Sequence, residues 1–144
     1  EVEIINNNNQ STTSLDRMNS FTINIKYDVR ENGIKCFFSI LIDKLDGTAI
    51  CHTRDTDSIS ENDIPRLIGK YYTKITFPGG LLNAGHYKLR VLAAEFNGES
   101  YDHLNPCTFE LLDLGTFASG SQYGRQRPGV LAPLLNWKTI ETNI

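Results

Sequence analysis

The sequence contains no run of about 18 apolar residues, the length a helix needs to cross a bilayer. Its most apolar window, Cys36 to Ile42, is only strand length and includes Ser39. No membrane-spanning helix is therefore expected. Basic charge is also short: 14 Lys and Arg stand against 17 Asp and Glu, a net charge of −3. That leaves no basic stripe to neutralise phosphates, so nucleic acid is not an expected partner. Cysteine is scarce, with Cys36, Cys51 and Cys107 forming an odd set without a C-x-x-C pair. This usage suits reduced thiols better than a disulfide framework.

The sequence is equally poor in catalytic signatures. There is no G-x-x-x-x-G-K-[ST] and no G-x-G-x-x-G, so nucleotide chemistry is not expected within these residues. Gly120-Ser121-Gln122-Tyr123-Gly124 misplaces its Ser for a nucleophile elbow. His52, His86 and His103 are scattered, without H-x-H or H-E-x-x-H, and predict no metal site and no cofactor. An EF-hand loop starting at Asp55 would need Gly at position six and Glu at position twelve, where Ser60 and Arg66 stand. Cys36 falls on the inward side of its strand, where thiols are inert. The chain is not expected to be an enzyme.

What is present is β-structure. A chain of 144 residues is one domain's worth and should bury roughly 68–70% of its unfolded surface. It starts on Glu1 without a signal peptide, which reads as a piece of a longer or processed protein. Residues 1–14, with the polar run Asn6 to Ser14, read as a linker end or an N-terminal strand and loop, and 15–144 as one β-sandwich domain. Phe21, Ile23, Ile25, Tyr27 and Val29 alternate strictly with polar residues, the period of a strand with one buried face. Asn32-Gly33 and Asp46-Gly47 supply hairpin turn residues on either side of a strand from Ile34 to Asp43. Further strands are expected over Thr48 to Thr53, Lys70 to Phe77, His86 to Phe96 and Cys107 to Leu112. The polar stretch between Arg54 and Gly69 reads as a long loop with one helical turn, and a last apolar segment runs from Val130 to Trp137.

Many short strands, frequent turn signals and no amphipathic helix predict an all-β, immunoglobulin-like antiparallel β-sandwich, with a barrel as the rival. Tyr87, two residues after Gly85 at the start of a late strand, matches a tyrosine corner, so its role is read as structural. The outward residues Phe37, Ser39 and Leu41 of one strand, beside Lys88, Arg90 and Leu92 of another, mix apolar faces with hydrogen-bonding heads. Such a face must be covered by a ligand, a partner or the chain's own tail. Sugars suit it, because a ring stacks on the apolar side of a pyranose while polar heads bond its hydroxyls. Tyr101 and His103, from Tyr101-Asp102-His103, join Phe37, Ser39, Lys88 and Arg90 as the candidate carbohydrate-binding residues, read as loop residues at the mouth of the site.

The order of FTINIKYDV, IDKLDGTAICHT, YYTKITFPGGLLNAGHYKLRV, SYDHLNPCTFEL and PGVLAPLLNW resembles one family. It is the C-terminal carbohydrate-binding domain of the ATPase subunit of bacterial ABC transporters that export O-antigen polysaccharide. The resemblance runs over roughly residues 15 to 140. It implies a sandwich at the cytoplasmic side of the inner membrane that binds the finished polysaccharide at its non-reducing end. It also implies an upstream nucleotide-binding domain, a membrane-embedded transporter subunit as partner, and a homodimer made by exchange of the C-terminal strand, here Val130 to Trp137. Two other readings compete: a structural or dimerisation sandwich without glycan binding, and a metal-dependent β-enzyme.

Overall fold

Alternating burial along Phe21–Val29 makes this segment the spine of one sheet. In the computed structural model it is strand β3, with Phe21, Ile23, Ile25 and Val29 buried, Tyr27 half-buried on the same inner face, and Thr22, Asn24, Lys26 and Asp28 on the other face. The structure describes residues 1–58, 65–95, 106–114, 127–133 and 135–142, and for 100–103 the backbone alone. Strand β1 (Val2–Ile5) and strand β6 (Gly69–Phe77) flank β3 antiparallel, giving a three-stranded sheet in the order β1-β3-β6.

The second sheet is built on β4 (Cys36–Lys44) and β7 (Gly85–Glu95), paired antiparallel along the whole of β4. Strand β5 (Ala49–Arg54) lies on the free side of β4 through the Asp46-Gly47 hairpin. Gly47 takes φ 90° there, and Asp46 Oδ1 accepts the Thr48 N–H at 2.9 Å, as the turn chemistry predicts. On the other side, the first half of β7 pairs with β9 (Cys107–Leu112) and its second half with β8 (Ser100–His103). Strand β2 (Ser14–Asp16) closes that edge by pairing parallel to β9.

The two sheets meet across an apolar core. Phe21 of β3 lies 5.6 Å from the Phe109 ring of β9, and Tyr27 lies 4.6 Å from the Phe38 ring of β4. Ile23, Ile25, Ile42 and Leu89 are almost wholly buried between them. Burial at about 1.5–3 kcal/mol per large apolar side chain is the main stabilising term. The fold is an all-β sandwich. All three cysteines turn toward this core as free thiols, and burial pushes each thiol's pKa up, so they are held neutral.

The structure departs from the sequence reading in four places. Asn32-Gly33 is not a hairpin turn, because β3 and β4 lie in different sheets. Its groups instead bond the 66–68 segment, with Gly33 N–H donating to Arg66 O and Ile68 N–H to Asn32 Oδ1. Tyr101 to His103 belong to strand β8 rather than a loop. The β2–β9 pair is parallel, since the chain crosses from one sheet to the other after β1. Among the described residues of Val130 to Trp137 there is no strand: Leu131 makes one bridge with Leu82, and the described residues beyond Ala132 are exposed. The expected helical turn is a short 3₁₀ turn at Asp55–Asp57. Asn97-Gly98, which carry turn chemistry in the sequence, and the Gly- and Ser-rich stretch 115–126 lie outside the described residues.

Two clamps hold the loops. Tyr87 O–H donates to the Asn83 carbonyl at 2.6 Å, the tyrosine-corner bond, while burial raises the phenol's pKa. Asn83 Nδ2 bonds the Arg127 and Gly129 carbonyls, and Arg17, 3% exposed, donates to the Leu82 and Ala132 carbonyls.

Candidate functional site

The outward side of the β5-β4-β7 sheet is assembled by register. Leu41 lies between His52 and Arg90, Ser39 between Arg54 and Leu92, and Asp43 opposite Lys88. Alternation then places Phe37, Ser39, Leu41 and Asp43 on one face with Lys88, Arg90 and Leu92. The structure therefore brings Phe37, Ser39, Lys88 and Arg90 together on two adjacent strands. Ser39 is only 1% exposed, so it floors the face and does not present its hydroxyl to solvent. His103 stands in register with Leu92 on the next strand, and Tyr101 is two residues before it; the side chains of both lie outside the described residues.

Three residues that sequence reading passed over complete the face. Arg54 places its guanidinium carbon 5.6 Å from the centroid of the Phe37 ring, a cation–π contact. His52, in register with Leu41, is exposed beside it. Asp43 is 3% exposed, and its Oδ2 accepts Arg90 Nε–H at 2.6 Å. Asp43 was recoverable from the pattern, being the next outward residue after Leu41. Arg54 is not, because the strand signal in the sequence stops at Thr53, whereas β5 runs on to Arg54.

Two clefts lie at opposite ends of β4 and β7, away from this face. One, of about 650 Å³, is lined by Lys44, Asp46, Asn83, His86 and Gly129, and its walls include the Tyr87 clamp. The other, of about 600 Å³, opens between the sheets beside Tyr27, Ile34, Cys36 and Phe38. Next to it Arg66 donates to the Cys36 carbonyl at 2.7 Å and lies 3.9 Å from Asp55, whose carboxyl burial pushes its pKa upward. Both clefts are lined by groups already engaged in holding the fold. The open sheet face offers more: apolar side chains and cationic heads side by side. Among the described residues no group of three or more His, Cys, Asp or Glu is placed to hold a metal ion, and no helix is long and apolar enough to cross a membrane.

No protein-family model and no curated protein sequence matches the chain. Solved structures do match. The crystal structure of the C-terminal domain of Wzt superposes with a TM-score of 0.75 at 17% identity, covering 97% of this chain and 81% of that one. The structural neighbour is thus the domain type that the sequence resemblance pointed to, and the chain shares its fold.

Proposed function

We propose that this chain is a non-catalytic glycan-binding module that engages O-antigen polysaccharide, at its non-reducing end, and couples it to export by an ABC transporter. The observation that carries the reading is the outward face of β5-β4-β7, where Phe37, Leu41 and Leu92 stand among Arg54, Lys88 and Arg90. Apolar side chains cover the C–H side of a sugar while cationic heads bond its hydroxyls or acidic groups. The shared fold with the C-terminal domain of Wzt supports the context. In that context the module sits at the cytoplasmic face of the inner membrane, held there by the transporter's membrane-embedded subunit.

A second copy of the chain is the other proposed partner, through Val130 to Trp137. Support comes from the exposure of Leu135 at 67% and Trp137 at 92%, together with the backbone bonds that Val130 and Ala132 make to Asn83 and Leu81. The same bonds can be made by a neighbouring copy's segment. The same apolar tail is the specific observation behind the second reading, a dimerisation module without glycan binding. Calorimetric titration of the folded chain with the producing strain's own O-polysaccharide separates the two. Saturable binding is expected, and its absence leaves the dimerisation module.

A further inference from the structure

The glycan-binding face carries a charge pattern that recognition of neutral sugars does not require. The chain as a whole is at −3, yet the outward residues of β4, β5 and β7 include Arg54, Lys88 and Arg90 against one carboxylate, Asp43. That carboxylate is almost wholly buried. Its Oδ2 takes Arg90 Nε–H at 2.6 Å, while Oδ1 has no hydrogen-bond partner among the described residues. Burying a carboxylate with one oxygen unsatisfied is costly, and a pair of apolar residues in its place would hold a sheet as well. Asp43 is therefore poorly explained by stability. Its position is explained by what it does to Arg90.

Asp43 grips Arg90 through Nε alone. The outer fork, Nη1 and Nη2, makes no hydrogen bond among the described residues, and the Arg90 side chain is 42% exposed. A guanidinium fixed at its base presents the two parallel N–H donors that match an oxyanion bidentately. Lys88, directly opposite Asp43 and two residues from Arg90 along β7, forms no ion pair among the described residues and adds a second positive head. Phe37, by contrast, already has Arg54 packed on its ring, which leaves charge rather than stacking as the main source of selectivity.

We propose that the outer face selects an acidic glycan: a carboxylate or phosphate group on the polysaccharide binds between Arg90 and Lys88, with Asp43 as the residue that positions Arg90. The inference rests on the glycan-binding reading above and names the class of glycan. A charge-assisted bidentate pair in a partly desolvated site corresponds to a tenfold or greater share of affinity, of the order of 10- to 100-fold.

The test uses the whole chain and the strain's own O-polysaccharide in three forms: native, carboxyl-reduced by carbodiimide and borohydride, and dephosphorylated with hydrofluoric acid. Native polymer should bind, and one of the two treatments should weaken binding at least tenfold, which also tells carboxylate from phosphate. Equal binding of all three forms overturns the acidic selection and leaves glycan binding standing. Failure of the native polymer to bind overturns the glycan reading itself. Arg90→Ala should lose the same factor as the effective treatment, with Lys74→Ala on the opposite sheet unchanged. Asp43→Asn should weaken binding several-fold and move the Arg90 Nε–H resonance before any ligand is added. In the unmutated chain that resonance should shift on titration with native polymer, and an unmoved resonance at saturation removes Arg90 from the site whether or not the variants fold.

Discussion

Arg17 offers the sharpest test of how the fold is held, because one buried guanidinium ties the turn after β2 to two distant segments. It donates to the Leu82 carbonyl at 3.2 Å and to the Ala132 carbonyl at 3.2 and 2.9 Å, and its Nε lies 3.6 Å from Asp113 Oδ2. Arg17→Met keeps most of the volume and removes every one of these contacts. Each charge-assisted bond is worth about 1.5–3 kcal/mol, but two share one carbonyl, so they do not add. Removing one member of a buried charged network costs about 3–5 kcal/mol, and about 4 kcal/mol is the expected loss here. With a urea m-value of about 2 kcal/mol/M, the unfolding midpoint should fall by about 2 M. Hydrogen exchange should show the same change locally: the Ala132 amide, bonded to Leu81 O at 3.0 Å, should lose protection first. A midpoint within about 0.3 M of wild type, with Ala132 still protected, would refute the clamp.

Three further outcomes follow from the same structure. Tyr87→Phe removes only the hydroxyl that bonds Asn83 O, and should cost about 1–3 kcal/mol in thermal or urea unfolding, with the sheet signal in circular dichroism unchanged. Gly79→Ala should be more damaging than an exposed Gly→Ala change, since a Cβ there collides with the Met18 carbonyl and the Asn19 backbone; a soluble variant of wild-type stability would contradict that packing. Asp55 has a folded pKa raised above its ordinary value of 3.8 by burial, so its contribution to stability is present at low pH and lost as pH rises through the folded value. Asp55→Asn should therefore look more favourable relative to wild type at pH 7 than at pH 3 in urea unfolding, and the opposite trend would sink the assignment.

Strand positions were largely written in the alternation of the chain. Phe21 to Val29 and Cys107 to Leu112 form strands over those same residues, and Tyr87 makes the bond its place after Gly85 predicted. Pairing was less legible. Asn32-Gly33 has hairpin chemistry, yet β3 finds its partners in β1 and β6, because the buried face of β3 needs a sheet opposite β4 rather than beside it. Sequence pattern specifies which residues turn inward, not which strand lies alongside. Strand β1 is legible only as one of two alternatives, a linker end or an N-terminal strand, because four residues before an Asn-rich run carry too short a period to decide between them.

The candidate face shows the same division. Phe37, Lys88 and Arg90 could be assigned to the outward side by counting along each strand, whereas their adjacency needed the β4–β7 register. The depth of Ser39 and Asp43 could not be counted, since burial on an outward face depends on the size of the side chains around it. The Asp43–Arg90 contact, on which the acidic selection rests, is a property of three-dimensional placement alone.

The central claim, that the outward face of β5-β4-β7 receives the glycan, is tested most directly by mapping backbone amide shifts during titration of the labelled chain with the strain's O-polysaccharide. Shifts should concentrate at Phe37 to Asp43, His52 to Arg54 and Lys88 to Leu92, with β1, β3 and β6 quiet. Saturation with shifts confined to β3 and β6, or to either end cleft, would contradict it.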